Sequence, residues 1–167
     1  YIPLPPALHF KWAKKALLNN KHVLLEKPST LSYAESHELV SIAKSKDLVL
    51  YENYMFVYHK QLEEICQIVD KGVIGDIRLI RITFGSPRRN INDFRYNKEL
   101  GGGALMDAGG YTLKLASYLM GDSLNISYAN LMYIDDFDVD IMGSGALINK
   151  NGLVAEIAFG MDNSYKC

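Results

Sequence analysis

Hydrophobic positions in the first third of the chain change from helical to strand-like spacing and back. Residues 8–17 have the apolar spacing of a helix with one buried face, formed by Leu8, Trp12, Ala13, Ala16 and Leu17. Residues 22–25 then have the character of a short buried strand. Ser32 and Glu35 form a capping-box pattern before a second amphipathic segment, and a second strand begins at Leu48. Helices that alternate with short strands in this way predict a parallel sheet with helical crossovers.

Beyond residue 53 the pattern changes to separate helices and longer strands. The elements predicted there are a helix over 62–69, a strand over 77–84, a basic loop over 86–99, a helix over 104–119 and strands over 124–132, 139–148 and 153–159. A tight-turn pattern at residues 149–152 joins the last two strands, which are therefore expected to be antiparallel neighbours. The chain is predicted to join a parallel α/β piece to an antiparallel α+β domain near Tyr54.

The histidine of the first predicted helix and the aromatic residues around the predicted domain boundary are interpreted as structural. Tyr51, Tyr54, Phe56 and Tyr58 alternate with strand period, and an aromatic stripe of this kind usually belongs to a core. His9 falls at the start of the first helix, where a single histidine more often packs or caps than catalyses.

The composition is that of an ordinary globular chain of 167 residues, with 49% hydrophobic residues, 22% charged residues and a formal net charge of −1. This balance excludes a disordered or collagen-like protein, and it gives no reason to expect a nucleic-acid partner. No apolar run approaches the roughly 18 residues that a membrane helix needs. Cys66 and Cys167 lack the spacing of a zinc or redox motif, which suits a reducing compartment, and a cytoplasmic location is expected.

The first candidate for chemistry is the tripeptide Glu26-Lys27-Pro28, directly after the first predicted strand. In open parallel sheets, ligands bind beyond the carboxyl ends of the strands, which is where Lys27 is expected to stand. Pro28 keeps the backbone of Lys27 out of the helical region. The alternative is an ordinary strand-to-helix turn with a solvated lysine.

The second candidate is the segment that begins with three glycines and contains Asp107 and Tyr111. These two residues are four positions apart, so on a helix they share a face, and an acid beside a phenol can orient a proton donor. The glycine run does not have the G-x-G-x-x-G frame of a dinucleotide-binding turn. The alternative is a flexible loop before a helix in which Asp107 caps or bonds locally.

Arginines in the loop over 86–99 form a third group. Arg88, Arg89 and Arg95 have the donor geometry to grip a phosphate or carboxylate, although a solvated basic loop is the ordinary interpretation of each one. Histidine, cysteine and acidic residues do not cluster at ligand spacing, so no metal site is predicted.

Four motifs occur together in an order that resembles the glucose–fructose oxidoreductase/inositol dehydrogenase/MocA (Gfo/Idh/MocA) family. They are YIPLPPALH at 1–9, KHVLLEKP at 21–28, GVIGDIR at 72–78 and GGGALMDAGGY at 101–111. The likeness spans essentially the whole chain. Within the family it looks most similar to members that act on sugars or nucleotide-linked sugars, and to the dihydrodiol dehydrogenase branch.

The resemblance implies the end of a Rossmann domain for NAD or NADP over residues 1–53. It implies a domain for substrate binding and oligomerisation over residues 54–167, with an open, mostly antiparallel sheet and helices on one face. In this family such a sheet commonly packs against its counterpart, so a homo-oligomer is expected. The lysine of the family's Glu-Lys-Pro motif falls on Lys27, and its Asp-x-x-x-His pair falls on Asp107 and Tyr111, with tyrosine in place of histidine. The cofactor contacts that the resemblance implies are Pro5, His9, Glu26, Lys27 and Pro28.

The same resemblance predicts that these residues are a fragment. The glycine-rich turn and ribose-binding acid that open a Rossmann domain are not among them, and the chain starts without methionine. We expect the sheet to be incomplete at the C-terminus, and the fragment alone to be inactive and to bind dinucleotide weakly.

The function expected of the parent protein is that of an NAD(P)-dependent oxidoreductase interconverting hydroxyl and ketone on a sugar or nucleotide-sugar-like substrate. Tyr111 would donate the proton, Lys27 would polarise the carbonyl, and Asp107 would hold Tyr111 or a substrate hydroxyl. The alternative is a non-catalytic dinucleotide- or sugar-binding protein, or a dimerising module, with the same fold. Neither a nucleic acid nor a membrane is expected as a partner.

Overall fold

A computed structural model describes residues 1–165 of the chain. Its first part contains a helix α1 (Pro6–Leu18), a strand β1 (Val23–Leu25), a helix α2 (Tyr33–Ser45) and a strand β2 (Leu50–Glu52). Cys167, one of the two cysteines that suggested a reducing compartment, lies outside the described residues.

The first part is built on parallel strands, as predicted. β1 pairs with β2 in parallel, and Ile2 adds a parallel bridge to Leu25 on the other side of β1. Helix α2 begins where the capping-box pattern predicted, because the Ser32 side chain accepts a hydrogen bond from the Glu35 backbone N–H. The core between helices and strands consists of Ala13, Leu17, Val23, Leu25, Leu39 and Ala43.

Trp12 was expected on the buried face of the first helix, and this expectation is wrong. The side chains that α1 buries are Pro6, His9, Ala13 and Leu17, which recur every three or four residues, and Trp12 lies beside this stripe with 42% of its surface exposed. The apolar spacing predicts the helix, but it cannot decide between two overlapping stripes.

The second part contains helix α3 (Lys60–Asp70), strand β3 (Leu79–Gly85), a π-helical turn (Leu105–Gly109), helix α4 (Gly110–Met120) and strands β4 (Leu124–Tyr133), β5 (Asp140–Asn149) and β6 (Val154–Gly160). The sheet order is β3-β6-β5-β4. β4 with β5 and β5 with β6 are antiparallel, and β3 with β6 is parallel, so the sheet is mostly antiparallel as predicted.

Helix α4 lies against β3 and β6, and the second hydrophobic core is formed there. Its largest buried members are Ile82, Tyr96, Leu147, Ile157, Phe159 and Met161. Gly143 is required in β5 because a Cβ at that position would lie 2.3 Å from the Phe159 ring. The core therefore holds α4, and the turn before it, at a fixed position on the sheet.

The aromatic stripe near the predicted boundary does not form a core strand. β2 ends at Glu52, and Met55–Tyr58 forms a 3-10 turn. Of the four aromatic residues only Tyr54 is buried, whereas the exposed Tyr58 donates its hydroxyl hydrogen bond to Tyr51 at 2.7 Å. The prediction was wrong because alternation in four positions also arises when a strand gives way to a tight turn.

Candidate active site

A cavity of about 180 Å³ lies beyond the carboxyl end of β1. Its walls come from the N-terminal segment and the Glu26-Lys27-Pro28 turn on one side, and from the basic loop and the glycine run on the other. The lining residues are Pro3, Leu4, Pro6, Glu26, Lys27, Pro28, Phe94, Arg95, Gly101, Gly102 and Asp107. The carboxyl end of a parallel strand is where an α/β sheet binds its ligand.

Lys27 connects the two parts of the chain. Its Nζ donates hydrogen bonds to Asp107 Oδ1 and to the Asp107 main-chain oxygen, each at 2.8 Å. Both side chains are largely shielded, with 14% of Lys27 and 19% of Asp107 exposed. The tripeptide that follows β1 and the acid that follows the glycine run, 80 positions apart, therefore meet in one ion pair.

The turn that carries Asp107 is π-helical, although the sequence predicts a regular α-helix from Ala104 onward. The Gly110 N–H reaches back five residues to the Leu105 carbonyl, which widens the turn, while the Asp107 carbonyl accepts its bond from Lys27. Such widened turns are frequent at functional sites. The simple four-residue spacing from Asp107 to Tyr111 is consequently not that of an ideal α-helix.

Asp140, at the start of β5, fixes the beginning of this turn. Its Oδ2 accepts a hydrogen bond from the Leu105 backbone N–H at 2.6 Å, and its Oδ1 lies where a Cβ of Gly103 would stand. Burial raises the pKa of Asp140, and the backbone hydrogen bonds it accepts only partly offset this. A carboxylate at the N-terminus of a helical segment also satisfies its free N–H groups.

Arg95 holds the other oxygen of Asp107. Its Nε donates to Asp107 Oδ2 at 2.9 Å, and its Nη1 donates to Asp93 Oδ1 at 3.2 Å. Burial acts to raise the pKa of Asp107, but Lys27 and Arg95 outweigh it and hold that pKa below its ordinary value. Asp107 is therefore an ionised carboxylate between two cations at neutral pH.

The basic loop does not present its arginines as one free patch. Arg95 is turned inward to Asp107, and Arg88 donates to Asp136 at 2.6 Å. The side chain of Arg89 is exposed and makes no ion pair with the rest of residues 1–165. Of the three arginines considered as anion binders, only Arg89 thus remains without a carboxylate partner in the described part of the chain.

Tyr111 lies in an aromatic setting next to Lys27, and it is not among the residues that line the cavity. Its ring stacks on Phe84 with centroids 4.9 Å apart and meets Tyr54 edge-on at 5.4 Å. The Lys27 Nζ stands 4.8 Å from the centre of the Tyr111 ring. Burial, followed by the charge of Asp107, raises the pKa of Tyr111 above its ordinary value, so the phenol stays protonated at neutral pH.

Two alternative roles were expected of Asp107. The structure shows no hydrogen bond between Asp107 and the Tyr111 hydroxyl, and the other role, holding a substrate hydroxyl, stays a prediction. Among residues 1–165, the Asp107 carboxylate accepts hydrogen bonds from Lys27 and Arg95, whereas the Tyr111 side chain makes ring contacts and no hydrogen bond. Asp107 is instead connected to Tyr111 through Lys27, whose ammonium bonds to Asp107 and faces the Tyr111 ring.

The structure places His9 behind the cavity wall rather than in the cavity. Its side chain is 1% exposed, and its ring nitrogens lie 2.6 Å from the Leu4 carbonyl and 2.8 Å from the Pro28 carbonyl. Both carbonyls belong to residues that line the cavity. His9 therefore holds the N-terminal segment and the Glu26-Lys27-Pro28 turn together. Pro5 precedes α1 as its N-cap residue and is not among the lining residues, although its neighbours are.

Glu26 faces the cavity with one oxygen already engaged. Its Oε1 accepts hydrogen bonds from the Tyr1 hydroxyl and the Asn53 amide, both at 2.7 Å. Burial acts to raise the pKa of Glu26, but the Tyr1 and Asn53 bonds outweigh it and hold the pKa below its ordinary value. Glu26 is thus an ionised acceptor beside Lys27. The Lys27–Pro28 peptide bond is cis.

Two family models match this chain. One, described as "Oxidoreductase family, NAD-binding Rossmann fold", covers residues 1–54, and one described as "GFO/IDH/MocA C-terminal domain" covers residues 62–167. The chain belongs to the Gfo/Idh/MocA family. The resemblance inferred from the four motifs is therefore confirmed, as is the combination of a Rossmann-type parallel sheet with a mostly antiparallel one.

Relatives within the Gfo/Idh/MocA family include sugar-nucleotide reductases. The dTDP-3,4-didehydro-2,6-dideoxy-alpha-D-glucose 3-reductase of Streptomyces violaceoruber is 43% identical over 99% of this chain and 48% of its own length. A 3-ketoreductase from Actinomadura kijaniata, solved with NADP and TDP-benzene, superimposes with a TM-score of 0.95 at 38% identity, over 99% of this chain and 51% of that one. An aldose-aldose oxidoreductase from Caulobacter crescentus gives 0.89 at 26% identity, over 96% of this chain and 49% of that one. This chain spans about half the length of the relatives it matches.

The cavity has polar groups of the kind that bind the sugar and carboxamide of a dinucleotide, the cofactor class named by the family model over residues 1–54. An ammonium, a guanidinium and an ionised carboxylate with one engaged oxygen surround it, which is a donor and acceptor set suited to ribose hydroxyls and a carboxamide. The 167 residues contain no G-x-G-x-x-G turn, so they do not account for the pyrophosphate. Among residues 1–165 no three metal-ligating side chains lie together, and no helix has the length and apolar character to cross a bilayer.

Sequence reasoning missed Asp140 and the partner of Arg95. Asp140 is an acid at the start of an otherwise apolar strand, which was the one available signal. Arg95 was singled out, but for binding an external anion, because sequence spacing does not show that its loop folds back onto Asp107.

Proposed function

We propose that the full-length protein containing this chain is an NAD(P)-dependent reductase that converts a ketone to a hydroxyl on a nucleotide-linked sugar. The observation that carries this proposal is the convergence of three groups. Lys27 leaves the Rossmann part at the cavity, pairs with Asp107, and faces the ring of Tyr111. A binding protein needs neither a fixed ammonium nor a protonated phenol at this place.

The relatives support the substrate class and the roles of two residues. The Streptomyces violaceoruber protein is named a 3-reductase of a dTDP-linked dideoxy sugar, and the Actinomadura kijaniata 3-ketoreductase was crystallised with NADP. That ketoreductase was also studied with one tyrosine replaced by phenylalanine and one lysine replaced by alanine or glutamate. The interval between these two positions equals the interval between Lys27 and Tyr111, which supports equivalence of the pairs.

The residues proposed to hold the nicotinamide end of the cofactor are those at the carboxyl end of β1. Glu26 and Lys27 offer an acceptor and a donor for ribose hydroxyls, and Pro28 shapes the turn between them and α2. His9 contributes by fixing the Leu4 and Pro28 carbonyls, and Pro5 by setting the entry into α1. The dinucleotide supplies the hydride that reduces the carbonyl carbon.

Tyr111 is proposed as the proton donor. When the carbonyl carbon is reduced, its oxygen develops negative charge and takes the Tyr111 hydroxyl proton, which gives the hydroxyl product and leaves a phenolate. The raised pKa of Tyr111 keeps this proton in place before reaction. Lys27 stabilises the developing charge, because its ammonium stands on the face of the Tyr111 ring.

A reductase assay separates this proposal from a non-catalytic binding protein. The full-length protein is mixed with NADPH or NADH and a dTDP-linked keto sugar, and the absorbance of the reduced nicotinamide is followed. The proposal predicts substrate-dependent loss of that absorbance and formation of the hydroxyl sugar. Saturable binding of both compounds without turnover would instead establish a sensor or binding protein.

We also propose that the sheet packs against a second copy of the protein through the exposed surface of its edge strand β4. Strand β4 exposes Ile126, Tyr128, Met132 and Tyr133, each by half or more of its surface. An exposed apolar surface of this kind is typical of an interface. Light scattering of the full-length protein should give a multiple of the subunit mass, and Ile126→Lys should reduce it; a monomer at micromolar concentration would contradict this part of the proposal.

A further inference from the structure

Arg95 lies at the site but has no role in the reaction proposed above. Its side chain is 23% exposed at the cavity wall, and its guanidinium connects Asp93 to Asp107. Asp93 also accepts a bond from the Arg95 backbone N–H, so the arginine is fixed at both its backbone and its side chain. A solvated loop arginine would have neither of these restraints.

The backbone of Arg95 is packed against the glycine run that leads to Asp107. The Arg95 carbonyl accepts the Gly103 N–H at 2.9 Å, and a Cβ on Gly102 would lie 2.3 Å from the same oxygen. Because only glycine permits this approach, the two segments are held together a few residues before Asp107. The Arg95 side chain then closes a second connection, from the loop to the Asp107 carboxylate.

The two oxygens of Asp107 are divided between two cations. Oδ2 accepts from the Arg95 Nε, and Oδ1 accepts from the Lys27 Nζ. Without Arg95 the carboxylate would be free to rotate, and both oxygens could compete for the lysine. Arg95 also contributes to lowering the pKa of Asp107 and acts against the rise in the pKa of Tyr111.

We propose that Arg95 is a positioning residue of this site, which holds Oδ2 of Asp107 so that Oδ1 fixes the Lys27 ammonium against the face of Tyr111. This inference rests on the proposed function for its catalytic consequence, but the geometry of the ion cluster is independent of it. Arg95 acts through Asp107 and Lys27 and need not touch the substrate.

The test compares Arg95→Met with Arg81→Met in the full-length protein. Arg81 is an ion-paired arginine on β3 with 72% of its side chain exposed, so it is a matched control for the loss of an arginine salt bridge. Arg95→Met is expected to lower kcat by up to about 10²-fold with a smaller effect on KM, because the ammonium is displaced. In Arg95→Met, the pKa of Asp107 should rise because the carboxylate loses one of its two cations. The fall of kcat/KM in acid, the acidic limb of the pH profile, should therefore begin at a higher pH than in the wild type.

Arg95→Lys keeps a positive charge but loses the planar fork that reaches Asp93 and Asp107 together. It is expected to shift the acidic limb in the same direction by less, with kcat between those of wild type and Arg95→Met. Wild-type kcat and pH profile in Arg95→Lys and Arg95→Met would overturn the proposal. If Arg95→Met fails to fold, wild-type values in Arg95→Lys alone overturn it.

A second measurement keeps this proposal separate from the proposed function. The carboxyl carbon of Asp107 is titrated by NMR in the wild type, Arg95→Met and Arg81→Met, with no substrate present. A higher titration midpoint in Arg95→Met alone supports the positioning role even if the protein reduces no keto sugar. Identical midpoints in all three proteins would contradict it, whatever the enzyme assay shows.

Discussion

The two sides of the candidate active site are built in different ways. On one side, Lys27, Asp107 and Arg95 hold one another through charged hydrogen bonds at 2.8–2.9 Å. On the other side, Tyr111 lies among aromatic rings, and its hydroxyl has no hydrogen-bond partner in the part of the chain that the structure describes. The charged side fixes the position of the Lys27 ammonium. The aromatic side keeps the Tyr111 hydroxyl protonated.

In the function proposed above, this difference favours reduction of a ketone over oxidation of a hydroxyl at the same site. Oxidising a hydroxyl requires Tyr111 to begin as a phenolate, which burial and the Asp107 charge both disfavour. The pKa of Tyr111 is raised even though the Lys27 ammonium lies 4.8 Å from the centre of its ring. The surroundings of Tyr111 therefore favour the protonated phenol, which is the form that the proposed reduction requires.

The largest effect is expected from removing the cation at the centre of the charged side. Lys27→Met leaves the shielded Asp107 with Arg95 alone and should lower the free energy of unfolding at pH 7 by about 3 kcal/mol, the lower end of the range for a broken buried pair. Denaturant unfolding of the full-length protein measures this change.

The pH dependence of the same variant sharpens the prediction. Asp107 has a lowered pKa when folded, so its pairing contributes stability above its unfolded pKa, and this contribution is lost as the pH falls through the folded pKa. The difference between wild type and Lys27→Met should consequently shrink in acid. A difference that stays constant from neutral to strongly acidic pH would show that the pair is not responsible.

Removing the hydroxyl on the aromatic side should affect catalysis rather than stability. Tyr111→Phe keeps the ring stacked on Phe84, and it should lower kcat by about 10²-fold, or about 2.7 kcal/mol in the barrier, if the phenol is the acid. The dissociation constant of the dinucleotide should not change. A near-normal kcat would remove Tyr111 from the proton-donor role.

The packing of α4 against the aromatic side gives a smaller, purely steric effect. A Cβ at Gly110 would lie 2.0 Å from the Tyr54 hydroxyl oxygen, so Gly110→Ala should destabilise the protein by about 2 kcal/mol. Tyr54→Phe removes that oxygen and should restore most of the loss in the double variant. Equal destabilisation in the single and double variants would place the strain elsewhere.

The smallest effect is expected at the start of the π-helical turn. Asp140→Ala removes the acceptor of the Leu105 N–H and should cost about 1 kcal/mol of stability, as loss of a helix cap does, whereas Asp140→Asn retains an acceptor and should cost less. Thermal unfolding at neutral pH compares the two variants. Equal losses would show that the hydrogen bond to Leu105 is unimportant.

The sequence predicts those features of the fold and the site that depend on residues close together in the chain. Lys27 follows a short apolar strand, so its position at the end of a parallel sheet could be predicted from the general behaviour of such sheets. Ser32 and Glu35 marked the start of α2 because capping depends on neighbours three residues apart. Asp107 and Tyr111 were a candidate pair because of their four-residue spacing, and the family likeness added their match to its Asp-x-x-x-His motif.

The remaining features depend on contacts between distant segments. The π-helical turn arises where Asp140 and Lys27, from β5 and the first part of the chain, engage its backbone groups. Arg95 turns inward because its loop packs on the glycine run. No periodicity within either segment carries this information.

The most direct test of the central claim is a structure of the full-length protein with dinucleotide and a non-reacting keto-sugar analogue. We expect the carbonyl oxygen of the analogue to lie within about 3 Å of the Tyr111 hydroxyl, with the Lys27 ammonium on the same side of the nicotinamide. An analogue whose carbonyl points away from Tyr111, or a Lys27 that has left Asp107 for the outside of the cavity, would contradict it.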